Sequence, residues 1–534
     1  MSKIKFVEFD FTEYGINNIK FKFSNNWPVV YLLENGKEIY VGETNGLKSR
    51  MKQHLKDDRK MKMTTVHSFS HNEYNKSAIL DLEATLINLF AGDGKLDVIN
   101  GTLGSSKHEY FNRPYYLGQI NAIWEEMKRI KLANNDIFLI ENSDLFKFSP
   151  YKNLSEEQLT ISEMIIDSIK CNDTYLNFIQ GNPGTGKTVL GMYLLKKLRE
   201  MYPNKKIGYI VPMDSLRETL RNVAKSIKGL YKKDIMKPSD LRNLKYDIVI
   251  VDEAHRLKRP INLSNGFALK AHRKVNETLD LGINEGDQLD WIMMQSDYQI
   301  LFYDENQTIK PTDIPKQKFL ELKSLYRGLE LGWTYILEDQ HRIKGGNKYL
   351  DYINNILDCS QSCKIIIDEY EARIYDNFTE FNNMLYSKEK EDGLTRMVSG
   401  YYKEWISQYD KSKYDFEIDG IKRQWNTIPI NWPYSPNAIH EIGCIHTIQG
   451  YDLNNAFVII GKEIDYNPIT NSMFINRKHY KDKKGYFTVS SDLDLLDYIL
   501  NVYRTLLSRG IRGVHLFIEN DNLREYFKRF IDWE

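Results

Sequence analysis

The 534-residue sequence predicts a multi-domain α/β protein, a small α+β unit followed by two α/β lobes built on parallel sheets. Three observations carry this prediction. At about 150 residues per domain, the chain is too long for one core. Residues 1–115 mix short strands with two helices. From residue 151 onward, apolar strand-like runs alternate with helical ones, the pattern of βαβ units. An apolar content of 42% with 27% charged residues is that of a folded chain and excludes long disordered tracts. No apolar run approaches the roughly 20 residues that span a bilayer, and the N-terminus lacks a signal-peptide core, so a cytoplasmic protein without a membrane partner is expected. Zero net charge excludes a uniformly basic coat but leaves local basic patches open. The four cysteines, Cys171, Cys359, Cys363 and Cys444, read as reduced thiols rather than a zinc set.

The first element is "VVYLLENGKEIYVGET", residues 29–44. Apolar runs flank Asn35-Gly36, a strong hairpin signal. A type I′ turn there would set Leu33 against Glu38 and Tyr31 against Tyr40, with the two phenols about 5 Å apart at Cβ. "KSRMKQHLKDDRKMK", residues 48–62, carries seven basic and two acidic residues, a solvated helix face or a nucleic-acid contact. Its helix, "LKSRMKQHL", puts Arg50 and His54 at i and i+4 on one face. A second helix, "NKSAILDLEATLINLF" closed by Gly92, has an apolar stripe of Ile79, Leu86, Ile87 and Phe90 with Glu83 in its middle. A carboxylate there is costly unless it is paired, binds a metal or reaches water at the stripe's edge.

In this order and spacing, residues 27–115 resemble the GIY-YIG nuclease family, with "VVY" for GIY, "YVG" for YIG, Arg50 ten residues after Tyr40, His54 four further on, a helical Glu83, and Asn100 after "LDVI". The resemblance implies that Glu83 holds one Mg²⁺ or Mn²⁺ on the scissile phosphate and that Arg50 stabilises the developing charge. Tyr31 and Tyr40 would position or deprotonate water with help from His54, and Asn100 completes the catalytic set. A phenol with a pKa of about 10 is a poor base at neutral pH, so this chemistry requires Arg50 or the metal to lower it.

Residues 116–150, with the amphipathic stretch "GQINAIWEEMKRIKLA", read as a linker. The first lobe, 151–330, contains the strands "YLNFIQ", "IGYIVP", "YDIVIVD" and "YQILFYD"; the second, 331–534, contains "YILEDQ", "AFVIIG" and "GVHLFIE". Between "YLNFIQ" and a helical run lies "GNPGTGKT", Gly181, Asn182, Pro183, Gly184, Thr185, Gly186, Lys187 and Thr188. Strand, glycine-rich loop and helix in that order form a phosphate cradle. The backbone N–H groups hold phosphate oxygens, Lys187 reaches the β/γ-phosphates and Thr188 ligates Mg²⁺. "YDIVIVDEAH" ends a buried strand with two acids, Asp252 for the metal and Glu253 to activate the attacking water. ATP hydrolysis follows.

The later segments match superfamily 1 helicases in order, which implies two RecA-like lobes closing on the nucleotide. "LFYDENQ" supplies Asp304 and Gln307 as γ-phosphate sensors. "LEDQHRIKG" supplies Arg342, "IHTIQGYDL" supplies Thr447, Gln449 and Gly450, and "YRTLLSRGIRG" supplies Arg509. Gln158 in "LSEEQLTI" stands where such enzymes read adenine, and an ordinary helix start explains it as well. Residues 150–534 further resemble the Schlafen group 3 DNA/RNA helicase domain, through "RMVSGYYKEW" and "EIGCIHTIQGYDLNNAFVIIG". Tyr451 and Trp432 fit base stacking or the core equally. The expected function is an ATP-dependent translocase or helicase coupled to an endonuclease, acting on nucleic acid, with DNA as the expected substrate and bacterial antiphage defence as its setting. Two alternatives stay open: an ATP-gated sensor that releases the nuclease without unwinding, and a nucleic-acid-binding ATPase that does not cut.

Overall fold

The computed structural model describes residues 4–100, 110–151, 154–261, 266–282, 285–305, 307–308, 312–340, 343–448, 450–482, 486 and 489–533. The described chain divides into two compact units, one of residues 1–162, 188–201 and 220–232, the other of 163–187, 202–219 and 233–534.

In the first unit, strands β1 (Lys5–Asp10), β2 (Val29–Glu34), β3 (Glu38–Thr44), β4 (Thr65–Ser70) and β5 (Asp97–Val98) form one sheet in the order β1-β4-β2-β3-β5. The hairpin departs from the expected register. Tyr31 pairs with Gly42 and Leu33 with Tyr40, not Tyr31 with Tyr40. A type I′ turn needs positive φ at both central residues, and here only Gly36 has it, at 78°. The Asn35 side chain instead accepts the Lys37 and Glu38 N–H groups at 3.1 and 2.8 Å, so four residues separate the last pair, Glu34 and Ile39. A slip of two residues preserves the alternation of faces, whereas a slip of one would have reversed it. The phenols therefore still share a face as diagonal neighbours, with ring centroids 6.2 Å apart.

The helix Leu47–His54 follows β3, and the helix Lys76–Asp93 follows β4. The latter opens on Asn75, whose side chain accepts the Ala78 N–H at 2.8 Å. It closes at Gly94, in the left-handed conformation at φ 68°, and not at Gly92. Gly92 is a packing position, since a Cβ there would run into Ile140 and Phe146. Those residues belong to the stretch expected as a linker. It is instead folded into short helices (Arg113–Leu117, Ile120–Arg129, Ile137–Glu141, Asp144–Lys147). Trp124 packs on Phe90 with centroids 5.0 Å apart, because an amphipathic stripe has to bury its apolar side.

In the second unit, β6 (Leu176–Gly181), β7 (Ile207–Ile210), β8 (Ile235–Met236), β9 (Tyr246–Val251), β10 (Ser296–Tyr303) and β11 (Gly332–Leu337) form an all-parallel sheet in the order β11-β6-β10-β9-β7-β8. The strand β11, assigned from sequence to the second lobe, is thus the edge of the first sheet, paired along its length with β6. A second parallel sheet, in the order β16-β13-β17-β20-β12-β21, contains β12 (Glu371–Tyr375), β13 (Thr395–Ser399), β16 (Ile442–Cys444), β17 (Leu453–Ile460), β20 (Gly510–Ile518) and β21 (Asp532–Trp533). The hairpins β14–β15 (Phe416–Ile418, Ile421–Arg423) and β18–β19 (Ile464–Asn467, Ser472–Ile475) interrupt its sequence. Trp432 and Tyr451 lie in its core, the tyrosine hydroxyl donating to the Asn431 side chain at 2.9 Å. Parallel strands covered on both faces have to be apolar throughout, which is why they read as unbroken runs in the sequence.

Candidate active sites

In the first unit the hairpin and the Leu47–His54 helix bring the expected residues together. Tyr31 is fully buried, and its ring fills the space a side chain at position 42 would need. That is why the second motif ends in glycine. Gly42→Ala should displace Tyr31 and cost about 1–3 kcal/mol of stability, as overpacking does, measured by denaturant unfolding, with a matching loss of cleavage.

The rings of Tyr31, Tyr40 and His54 form a triangle with sides of 5.5–6.2 Å. The Tyr31 hydroxyl lies 2.7 Å from His54 Nε2 and 3.4 Å from Arg50 Nε. On the far side of the imidazole, Lys60 Nζ lies 3.1 Å from Nδ1 and 3.9 Å from the Tyr40 ring centroid. An ammonium only donates, so Nδ1 carries the lone pair and Nε2 the proton. Tyr31 Oη then accepts from both His54 and Arg50, two donors that favour its ionised form. Burial acts the other way and pushes the Tyr31 and Tyr40 phenols up, the Glu83 carboxylate adding to Tyr40. Arg50 alone does not bring Tyr31 down, contrary to the first of the two requirements stated above. Burial first, then the Lys60 and Arg50 charges, hold His54 at about 4, so it is neutral at pH 7. Lys60 is a residue the sequence reading did not single out; it lay in a basic run read as a solvated helix face or a nucleic-acid contact. Lys60→Met should raise the His54 pKa, measured by NMR titration, toward the ordinary value of about 6.5 and slow cleavage, with Lys60→Arg restoring both.

Glu83 is half-buried in the middle of the Lys76–Asp93 helix. Burial lifts its carboxyl to about 7, and the Glu43 carboxylate adds to this against the Lys76 and Arg50 charges. Glu43 is itself ion-paired with Lys76, so the half-buried Glu83 is the carboxylate of this pair available to a divalent cation. Asn100, counted as catalytic in the sequence reading, is engaged elsewhere. Its amide accepts the Val41 N–H at 3.1 Å and donates to the Val41 carbonyl at 2.7 Å, which fixes β3 beside Tyr40.

In the second unit the loop between β6 and the helix Lys187–Met201 has the conformation its glycines allow, with Gly184 at φ 88° and Gly186 at 77°. The Thr185 hydroxyl donates to the Asn182 carbonyl at 3.0 Å. Lys187 Nζ donates to the Gly181 and Asn182 carbonyls at 2.5 and 3.0 Å and lies 3.4 Å from Asp304 Oδ2. Thr188 is the second residue of the helix. Gln340, not singled out in the sequence, donates to the Pro183 carbonyl and lies against Gly184. Beside the loop, a cleft of about 310 Å³ is lined by Gln180, Asn182, Asp304, Glu305, Glu338 and Asp351.

Asp252 is fully buried at the end of β9 and accepts the Tyr209 hydroxyl at 3.0 Å and the Glu253 N–H at 3.0 Å. Glu253 has φ 50°, an uncommon conformation for a non-glycine residue, of the sort found where function fixes the backbone. His255 Nδ1 accepts the Asp304 N–H at 3.2 Å, so Nε2 bears the proton, 2.8 Å from Glu253 Oε2. Burial raises the Glu253 carboxyl, but His255, Lys187 and Arg509 outweigh it and hold it well below the usual range. Gln307 Nε2 donates to Asp304 Oδ2 at 2.7 Å, and its buried Oε1 has no hydrogen-bond partner among the described residues. That unsatisfied acceptor, the glycine cradle and the adjacent carboxylates fit a nucleoside triphosphate with Mg²⁺ and its attacking water.

Gly450, at φ 88°, packs against Leu216, and the Thr447 hydroxyl donates to the Cys444 carbonyl at 2.9 Å. Gln158 completes a helix cap with Ser155, each side chain accepting the other's N–H. Arg342 and Gln449 lie outside the described residues.

Fold and sites together define the class: a P-loop ATPase with two parallel six-stranded sheets, preceded by a hairpin-and-helix domain carrying clustered phenols, a guanidinium and a carboxylate. Residues 175–520 match the Schlafen group 3 DNA/RNA helicase domain, and residues 28–95 match the GIY-YIG catalytic domain. The chain belongs to the Schlafen group 3 DNA/RNA helicase domain family and carries a GIY-YIG catalytic domain at its N-terminal side. It is an ATPase of helicase class and a phosphodiester endonuclease. It is similar to the uncharacterized protein YPL245W of Saccharomyces cerevisiae, 25% identical over 70% of this chain and 90% of that one. Among solved structures, the Pif1 helicase from Candida albicans aligns at 14% identity over 70% of this chain and 99% of that one, with a TM-score of 0.28. The Bacteroides Pif1 helicase in complex with ADP-AlF3 and ssDNA aligns at 13% identity over 68% and 92%, with a TM-score of 0.25. No helix among the described residues is long and apolar enough to cross a membrane.

Proposed function

We propose that this chain couples ATP-driven movement along nucleic acid to metal-dependent cleavage, with foreign DNA as the substrate, antiphage defence as the purpose and the cytoplasm as the place. The observation that supports the cutting half is the cluster in which Tyr31 Oη lies 2.7 Å from His54 and 3.4 Å from Arg50, with the Tyr40 ring 6.2 Å away and the Glu83 carboxylate close enough to raise the Tyr40 phenol. Residues 1–115 are the nuclease domain, 151–330 together with β11 the first lobe, and the rest to 534 the second.

Glu83 would hold Mg²⁺ or Mn²⁺, which supplies positive charge at the scissile phosphate and lowers the pKa of nearby groups. Only with that cation bound would the buried Tyr31 give its phenolic proton up to solvent and, as a phenolate accepting from His54 and Arg50, take a proton from the attacking water. Tyr40 orients that water, and Arg50 stabilises the charge on the phosphorane oxygens. In the ATPase, Lys187 binds the β/γ-phosphates, Thr188 and Asp252 would hold Mg²⁺, Glu253 accepts the water proton, and Gln307 orients that water through Oε1. Arg509, with Arg342, answers the charge on the γ-phosphate, and Thr447, Gln449 and Gly450 carry its state to the strand-binding surface.

The test is incubation of the purified chain with plasmid, with and without Mg²⁺ or Mn²⁺ and ATP, beside a strand-displacement assay. Metal-dependent nicking that ATP changes is the expected result. ATP hydrolysis and cutting without duplex separation would replace the motor by a switch, and no nicking with either metal would remove the nuclease.

A further inference from the structure

Near the carboxyl ends of the strands in the second parallel sheet, Glu463 follows β17 and is 1% exposed. Its Oε1 accepts the Tyr503 hydroxyl, which itself accepts the Gly461 N–H at 3.2 Å. Its Oε2 accepts no hydrogen bond from another described residue. Beyond the Tyr503 hydroxyl this buried carboxyl has only its own backbone N–H as a donor, and under-satisfied buried groups of this kind usually mark a ligand or bound water. Two glycines let the carboxyl pack close against the backbone. A Cβ at Gly400 would come within 2.7 Å of Oε1, and one at Gly461 within 2.5 Å of Oε2.

The carboxylate forms part of the lining of a pocket whose walls include Tyr401, Tyr480, Ile499 and Val502. The enclosed part measures about 20 Å³, enough for one water or one amino group. Counting the open mouth, the space reaches about 350 Å³. Lys403 and Lys462 each stand 3.9 Å from Glu519, Lys481 stands 4.0 Å from Glu404, and Asp482 joins the lining. A narrow acceptor floor, flat aromatic walls and lysines nearby match an anionic chain that offers an N–H group on a planar ring.

We propose that this pocket takes the exocyclic amino group of an unpaired nucleobase, guanine above all, from the strand the motor holds. This rests on the nucleic-acid reading given above. Guanine presents two adjacent N–H donors on one edge, whereas thymine has no amino group and sets carbonyl oxygens beside its single N–H. The tyrosine faces stack on the ring, as aromatic side chains do with single strands.

The experiment measures binding of the full-length protein, without divalent metal so that nothing is cut, to oligothymidylate carrying one dG, one deoxyinosine (guanine without its amino group) or no insert. The dG strand should bind about tenfold more tightly than the other two, the effect of one buried hydrogen bond. Glu463→Gln should level the three while leaving ATP hydrolysis and plain oligothymidylate binding unchanged. Tyr480→Ala should narrow the same preference, so a folding defect in one variant does not stand in the way. Lys403→Ala should weaken all three strands equally. Equal binding of the three strands by the wild type, or a preference that survives Glu463→Gln, overturns the proposal. Failure to bind any of them counts against the nucleic-acid reading itself.

Discussion

Glu253→Gln should lower ATP hydrolysis by about two to four orders of magnitude, the usual share of a positioned general base, while nucleotide binding stays close to wild type. The expectation follows from where the carboxylate stands. It ends the strand that also carries Asp252, in a left-handed backbone conformation that a non-glycine residue adopts only when its surroundings fix it. His255 faces it at 2.8 Å, and that imidazole is itself oriented by the Asp304 N–H. Glutamine keeps the shape and removes the base. The loop that grips the phosphates is untouched, so fluorescent-nucleotide titration should show an unchanged affinity beside a steady-state assay near background. Because neighbouring charges hold the carboxyl well below the ordinary range, it stays ionised throughout the neutral region. ATPase activity should therefore show no inflection from this group between about pH 5 and 8. A Glu253→Gln chain that still hydrolyses ATP at near wild-type rate would move the base elsewhere.

Glu83→Gln should abolish nicking and leave ATP hydrolysis intact. The loss should exceed the roughly 100-fold cost of removing even an outer partner of a metal ligand. A second readout does not depend on activity. The Glu83 carboxyl is raised from 4.5 to about 7, so the folded state favours its protonated form. Its contribution to stability is therefore full below the unfolded value and is lost as pH rises through 7. Above that, the wild type holds an ionised acid against burial and the Glu43 charge. The N-terminal domain of Glu83→Gln should accordingly melt at higher temperature than wild type at pH 8, with the gap closing toward pH 4.5. Added Mn²⁺ should raise the wild-type melting temperature and not that of the variant. Full cleavage by Glu83→Gln, or equal stabilisation of both chains by metal, would place the cation on other residues.

The phosphate loop and the paired acids were legible because their chemistry depends on consecutive residues. "GNPGTGKT" must have glycine where φ is positive, and "YDIVIVDEAH" must be an apolar strand with acids at its end. The nuclease cluster was legible for a different reason. Alternation along β2 and β3 keeps Tyr31 and Tyr40 on one face under any even shift of register, so an incorrect turn type still brought the phenols together.

Other features were not readable in one dimension. Lys60 and Gln340 act on residues that the motifs name, but each does so through an approach set by the fold rather than by spacing. The short-helix stretch before the first lobe looked like a connection because its apolar stripe has no visible partner in sequence; Phe90 supplies it. The strand β11 looked like the start of a second lobe because order along the chain does not reveal which edge of a sheet a strand joins.

The sequence by itself determined which groups can do chemistry, since residue type, glycine placement and alternation are local properties. Tertiary structure alone decided their electrical state and company. Burial raises Glu83 and Tyr31 and lowers His54, while neighbouring charges hold Glu253 down against its burial, and these depend on atoms that the fold gathers from distant parts of the chain.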